Sequence, residues 1–525
     1  MESSAGYERD EGWCPVGTPA IVAVSVMLAT FMEVLDTTVV NVSLPHIAGS
    51  LAADINESTW VLTSYLVSNA IVLPATGWLS SIFGRKRYYM ASVVIFVVSS
   101  LLCGLAPSLS ALIVFRVLQG LGGGALQPIS QAVLLECYPR RQRGIGMAIF
   151  GVGVVFAPII GPTLGGWLTD NYTWRWIFYI NVPIGILALA MSHIYVVDPP
   201  YLQRGTVKMD YIGLGLLALG IGTLQIVLDT GQRHDWFQTK WITELSVVSG
   251  ISLIALLVWE WYARHPVIDL TIFGIKNYPA GVGLTFALGV ALYSSGVLQP
   301  LFVQQLLGYT ALWAGLAMSP GGIGTLVCMP IVGKLVGRWN PRYMIMFGFG
   351  LSSLALFKMS DYTLDISFWQ IAFPRVYLGV GLAFLFVPLT TVTFAFVPDE
   401  KTGSAAGIFN LMRNIGGSFG IAAATTMLAT RSQFHQFRLV GNVTPLSPGF
   451  VQWQDTVVSR LVAAGQPPTA VQHTSFGIAY KVVVTQASWM SFVDVFWLAG
   501  VLMLALIPLV LILKSPPARR AGGVS

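Results

Sequence analysis

Charge is what this chain has least of. Only 10% of its 525 residues are Asp, Glu, Lys or Arg, against ~25% in a typical soluble domain. Such a composition excludes a solvated globular surface. Histidine is also scarce, with six residues and none at metal-ligand spacing. A membrane enzyme built on clustered His and acids at one bilayer face is therefore disfavoured, and no metal is expected. The four cysteines, Cys14, Cys103, Cys137 and Cys328, form no metal-spaced pair and predict no disulfide. The formal surplus of +6 is spread over short loops, which argues against a nucleic-acid footprint.

What fills the chain instead is apolar sequence, at 55%. Stretches of ~20 apolar residues recur throughout, each long enough to span a bilayer. Fourteen are read, at 19–43, 58–81, 88–106, 109–136, 144–169, 175–197, 210–229, 242–262, 279–305, 312–336, 343–360, 367–396, 404–430 and 489–513. Basic residues alternate between the connecting loops. One set holds Arg85, Lys86, Arg87, Arg140, Arg141, Arg143, Arg204, Lys208, Arg264, Lys276, Arg338, Arg342 and Lys401; the other holds Arg175, Arg233, Lys240 and Lys358. The positive-inside rule then places both termini in the cytoplasm, in agreement with Lys514, Arg519 and Arg520 after the last span. The acidic opening (Glu2, Glu8, Asp10, Glu11) lacks a basic n-region, so the first span is expected to act as its own uncleaved signal.

Inside the first span lie two acids, Glu33 and Asp36. A charge at the bilayer centre costs roughly 2.5–3.5 kcal/mol on insertion scales, which marks such residues as functional. Their i,i+3 spacing puts them on one helix face. Two like charges that close in a low dielectric resist double ionisation, chemistry suited to carrying a proton. Arg116, buried in the fourth span with Gly120 and Gly124 on its face, needs a partner, and Asp36 is a candidate. Arg413, deep in the thirteenth span, is a second buried cation and a candidate contact for an anionic substrate, as Asp36 and Glu33 are for a lipophilic cation. His193, Asp494, Asp229, Asp235 and Asp269 read as structural, the last three as turn or capping residues.

An internal repeat organises the chain. Arg116-Val117-Leu118-Gln119-Gly120 recurs as Arg375-Val376-Tyr377-Leu378-Gly379, an offset of 259, which also relates Pro139 to Pro398, Gly144 to Gly403 and Phe150 to Phe409. Gly77–Lys86 echoes in Gly333–Arg342 at offset 256. Several matches at nearly one offset, in equivalent loops, imply two homologous six-helix halves. The expected layout is a tail over 1–18, a first half over 19–197, two inserted helices within 198–278, a second half over 279–513 with an outer loop at 431–488 that holds weakly amphipathic segments near 449–464 and 469–486, and a tail over 514–525. In the fifth span Gly153, Ala157, Gly161 and Gly165 form a small-residue stripe that lets another helix approach closely, while Pro158 and Pro162 bend the helix.

These motifs resemble those of the fourteen-helix drug:proton antiporters of the major facilitator superfamily, nearest to the EmrB-type (EmrB/QacA) multidrug efflux permeases. The resemblance rests on Leu35–Pro45, on Gly77, Gly84, Arg85 and Lys86 of the loop after the second span, on Arg116–Gly120, on Ala157, Pro158, Gly161, Pro162, Gly165 and Gly166 of the fifth-span motif, on Trp174–Pro183 and on Leu228–Gly231. One departure stands out: the usual Asp-Arg of the loop motif is Ser81-Ile82. Without that acid no salt-bridge latch is expected, and Arg85 and Lys86 are read as topological or lipid-headgroup contacts.

The resemblance implies an all-α integral membrane protein of the bacterial inner membrane, with the major facilitator fold, two halves and two extra central helices. It implies alternating access and export of hydrophobic or amphipathic compounds, driven by protons and without a cofactor. Asp36 would carry the proton, with Glu33 as modulator and Arg116 tuning both, and the fifth-span stripe would seal the halves in one state. It further implies a periplasmic EmrA-like adaptor and a TolC-like outer-membrane channel, with loop 431–488 as a docking surface. The alternatives are an exporter of one metabolite or fatty acid, and a proton-independent facilitator.

Overall fold

The computed structural model describes residues 18–139, 142–198, 210–264 and 266–514. Most of the N-terminal tail with Cys14, then Arg140, Arg141, Arg204, Lys208, and the C-terminal tail from 515 with Arg519 and Arg520, lie outside the described residues. All the regular structure described is helical, as a bilayer requires of a chain that must satisfy its backbone internally. Fourteen principal helices follow in order: α1 (Pro19–Ser50), α2 (Trp60–Phe83), α3 (Arg85–Leu105), α4 (Leu109–Cys137), α5 (Arg143–Asn171), α6 (Trp176–Tyr195), α7 (Tyr211–Thr230), α8 (Lys240–Tyr262), α9 (Tyr278–Gln305), α10 (Ala311–Leu335), α11 (Pro341–Ser360), α12 (Phe368–Thr393), α13 (Thr402–Val440) and α14 (Pro468–Ala505). Twelve are long and apolar enough to cross a membrane, and α5 makes a thirteenth if its bent halves, Arg143–Pro158 and Ile160–Asn171, form one span. The 41° bend falls at Pro158, where the ring displaces a backbone hydrogen bond. α13 is the most polar, with buried Asn410 and Arg413, yet it packs inside the bundle as the fourteenth.

Sequence punctuation accounts for the ends. Gly84, at φ +84°, turns the chain between α2 and α3. Ser108 and Thr310 cap α4 and α10 by accepting the amides of Ala111 and Trp313, which satisfies donors that the first turn leaves open. Helix boundaries match the sequence reading within a few residues, except in three places. α1 continues through Pro45 to Ser50. α13 and α14 are 39 and 38 residues long, and Pro448–Ala463 forms a helix of its own. The stretch 431–488 is therefore mostly helix rather than loop. At the base of this extension Asp494 of α14 takes a salt bridge from Arg431 and a hydrogen-bond contact from His435 Nε2 of α13, both at 2.8 Å.

Packing repeats with the sequence. α1 lies on α5 and α6, α2 and α3 lie on α4, and α3 lies on α6; α9–α14 reproduce each pairing. The two halves then meet along α5 with α10 and along α2 with α13. The inserted helix α7 lies against both α2 and α13. Thr63 of α2 donates to Asp229, and Gln225 of α7 donates to Ser418 of α13 at 2.7 Å. Asp229 thus makes a tertiary bond, not merely the end cap that its position implied.

The end of the bundle that carries Gly84 and Arg85 is closed. There an added Cβ on Gly77 of α2 would fall on Ser404 of α13, and one on Gly144 of α5 would stand 2.7 Å from the Gly333 carbonyl of α10. Arg143 pairs with Asp399 across the halves at 2.9 Å. Arg85 is buried in an ion pair with Glu136, so it does not face lipid headgroups as its sequence implied. Lys86 donates its backbone amide to Asp198 and its ammonium to the His193 carbonyl, each at 2.6 Å. Because Gly144 meets backbone rather than a flexible side chain, Gly144→Val is expected to cost this closed state roughly 1–3 kcal/mol. The check is faster thiol labelling of a cysteine placed at Ser404; an unchanged rate contradicts it.

Candidate functional site

Two buried acids share one turn of α1. Asp36 is 1% exposed and Glu33 2%. The two face different partners.

Asp36 is fully compensated. Its Oδ2 accepts from Arg116 Nη1 of α4 at 2.5 Å, and its Oδ1 from Gln119 Nε2 at 3.0 Å and Asn181 Nδ2 of α6 at 2.8 Å. Arg116 also donates to Gln119 Oε1 at 2.8 Å and, through Nε, to the Val61 carbonyl of α2 at 2.9 Å. Its guanidinium lies 4.3 Å from the centre of the Tyr65 ring, a cation–π contact. Asn181 continues to Ser100 of α3 at 3.0 Å. One ion pair thereby ties α1, α2, α3, α4 and α6 together.

Glu33 has neutral donors. Oε1 accepts from the Tyr65 hydroxyl and from Asn69 Nδ2 of α2, each at 3.0 Å, and Oε2 accepts from Gln127 Nε2 of α4 at 2.6 Å. Gly123 of α4 leaves room for these partners, since a Cβ there would stand 2.5 Å from the Tyr65 hydroxyl. Gln127 has a second contact: its carbonyl accepts from Arg413 Nη2 of α13. Arg413 is fully buried, with its guanidinium 5.8 Å from the Phe386 ring centre and Tyr293 of α9 as another polar neighbour. One turn away Asn410 of α13 donates to Gln131 of α4 at 2.5 Å. Glu33 therefore sits where the two halves touch, joined to the second half through one amide.

The internal repeat is visible in the geometry. Arg375 occupies in α12 the place of Arg116 in α4. Its Nη1 donates to the main-chain carbonyl of Ser295 at 3.3 Å, and Ser295 is the residue 259 positions beyond Asp36. The second half keeps the arginine where the first has an arginine and an acid.

The fifth-span stripe faces inward within its own half. Cβ atoms added to Gly161 and Gly165 would strike Thr38 and Val39 of α1, and one on Gly153 would strike Met27. Gly166 is looser, with Val42 at 3.8 Å, and Ala157 is buried. Contact with the other half comes instead from Gly144 and Gly151, which meet Gly333 and Met329 of α10, and from Thr163, against which Gly315 packs. The pattern recurs in α13, where Gly416 and Gly420 press on Phe286 and Val290 of α9. Sequence reasoning on titratable groups missed Tyr65, Asn69, Gln119, Gln127 and Asn181. Their signal was available: they are amides and a phenol in apolar spans, where polar groups demand partners.

Comparison with known proteins agrees with this architecture. The Major Facilitator Superfamily model matches residues 26–421. Multidrug export protein EmrB of Escherichia coli is 37% identical over 506 residues, covering 96% of this chain and 97% of that protein. Fatty acid resistance protein FarB of Neisseria gonorrhoeae is 35% identical over 96% of this chain and 97% of its own length. Colistin resistance protein EmrB of Acinetobacter baumannii is 30% identical over 93% and 95%. Among solved structures, the human organic anion transporter TETRAN superposes with a TM-score of 0.58 at 13% identity, over 93% of this chain and 100% of that one. The proton:xylose symporter XylE gives 0.57 at 15%, over 93% and 96%; these two share the fold. With a family model over most of its length and near full-length relatives, this multi-pass membrane protein belongs to the Major Facilitator Superfamily, among the EmrB-type drug efflux permeases.

Proposed function

We propose that the protein exports hydrophobic or amphipathic toxic compounds across a bacterial inner membrane in exchange for protons, by alternating access, without a cofactor. The observation that carries the reading is Glu33: a buried carboxylate held by neutral donors at the seam between the halves. A buried charge without a bonded cation is costly, and a proton removes that cost. Asp36 is matched by the Arg116 guanidinium and ties the helices of the first half together. This weighting moves the proton from Asp36, where the motif put it, to its neighbour.

The basic residues at the closed end, among them Arg85, Arg87, Arg264, Arg338 and Arg342, support a cytoplasmic assignment for that end and for both termini. Closure there corresponds to an outward-facing state. On this reading a proton enters from the far side, reaches Glu33, and biases the rocking of the halves. One charge moving through 100 mV supplies about 2.3 kcal/mol. The helical extension over 431–488 then stands on the periplasmic side, where its exposed Phe437, Leu446 and Tyr480 offer apolar contacts to an EmrA-like adaptor leading to a TolC-like channel.

The test is transport in inside-out vesicles with an imposed pH gradient. Addition of a lipophilic drug is expected to release protons from the acidic lumen as the drug accumulates. Drug entry that only equilibrates, at a rate indifferent to the gradient, would instead identify a facilitator. The relative FarB is named for fatty acid resistance, which favours a second reading as a fatty-acid exporter. A panel of cationic and anionic amphiphiles in the same vesicles separates the two.

A further inference from the structure

Gln127 has one donor group and one acceptor group, and both are engaged. Its NH2 donates to Glu33 Oε2 at 2.6 Å, and its carbonyl accepts from Arg413. A carboxylate only accepts and a guanidinium only donates, so with Glu33 ionised this is the single orientation that satisfies both neighbours. We infer that Gln127 is the positioning residue that converts protonation of Glu33 into release of the second half. The inference rests on the proposed proton-carrying role of Glu33.

Glu33 Oε1 already faces two donors, Tyr65 and Asn69. Tyr65 has little freedom to reverse, because its oxygen accepts from Asn69 Nδ2 at 3.4 Å. An incoming proton therefore settles on Oε2, which then presents an O–H to the Gln127 NH2. Two donors cannot bond, so the amide rotates and offers its carbonyl to Glu33. The same rotation turns NH2 toward Arg413, again donor against donor, and the bond joining α4 to α13 is lost. One O–H bond forms at Oε2 and no bond within the protein breaks; the hydrogen bond between Glu33 and Gln127 is kept with its direction reversed, and the cross-half hydrogen bond to Arg413 is lost. The charged and titratable groups facing this centre are Asp36 on α1, Tyr65 on α2, Arg116 on α4, Tyr293 on α9 and Arg413 on α13. Of these, Arg413 is the one bonded to Gln127, opposite Glu33.

The experiment uses the full chain in lipid nanodiscs with spin labels at Arg87 and Arg338, exposed positions of the two halves at the closed end. In the wild type, lowering the pH from about 8 to about 5.5 is expected to shift the closed-to-open ratio by about tenfold. Gln127→Met keeps the length and loses both bonds; its ratio is expected to change less than about twofold. Gln127→Glu accepts from Arg413 whatever the state of Glu33, and is expected to stay closed at both pH values. Should Gln127→Met fail to fold, Gln127→Glu decides. A wild-type amplitude in either variant overturns the inference, as does a wild type without any response. Glu33→Gln in the same assay tests the underlying reading separately: a normal pH response there removes Glu33 as the proton carrier, whatever Gln127 does.

Discussion

Arg116→Met is expected to cost the protein roughly 3–5 kcal/mol, the usual penalty for removing one partner of a buried ion pair. The substitution preserves side-chain bulk, so the loss is electrostatic. Asp36 would be left fully buried with two amide donors, Gln119 and Asn181, and no cation. The Val61 carbonyl and the Tyr65 ring would lose their contacts too. Thermal denaturation in detergent reads the effect as a marked fall in the melting temperature. The double variant Arg116→Met/Asp36→Leu removes the orphaned charge and should recover much of the loss, since replacing both members of a buried pair by apolar groups is often neutral or stabilising. A single variant as stable as the wild type would show that Asp36 and Arg116 are not the structural hub described above.

Glu33→Gln is expected to act on transport rather than on folding. Glutamine fits the same space and retains an oxygen for Tyr65 and Asn69, but it carries no proton. If Glu33 couples one charge to each export event, the attainable accumulation ratio should fall about fiftyfold per 100 mV of driving force, the equivalent of about 2.3 kcal/mol. Facilitated, downhill movement of the drug should persist. Asp36→Asn should do the reverse: less folded protein, because Arg116 loses its counter-charge, but coupled transport in the molecules that fold. Normal proton release from Glu33→Gln vesicles, together with none from folded Asp36→Asn, would return the proton to Asp36.

These two experiments divide along the line between what the sequence discloses and what only packing reveals. The helices were readable because nearly every span is long and apolar. The fold of two halves was readable from the spacing of Arg116 and Arg375. The site was readable only as a list of charged residues. Glu33 and Asp36 are three residues apart on one helix face, yet their neighbours come from α2, α4 and α6, up to 145 positions away. No pattern within α1 says which acid meets a guanidinium and which meets an amide. Gln127 was invisible for a related reason: an amide matters here through what lies on its two sides, and one side belongs to the other half of the chain. Within 431–488 the weakly amphipathic segments near 449–464 and 469–486 are helical; what the sequence left open was how far α13 runs on, to Val440.

The missing acid at Ser295 has a consequence for how the halves hold together. Apart from the Arg85–Glu136 pair, the buried charges of the first half are Glu33, Asp36 and Arg116; those of the second are Arg375 and Arg413. With Glu33 ionised, this membrane core is a capacitor, its one plate carrying an excess of negative charge and its other an excess of positive. The plates attract through a medium that screens little. A single proton on Glu33 discharges the negative plate. The same chemical event that turns one amide would then weaken a long-range attraction across the entire seam, so the force that opens the transporter need not be confined to the residues that touch.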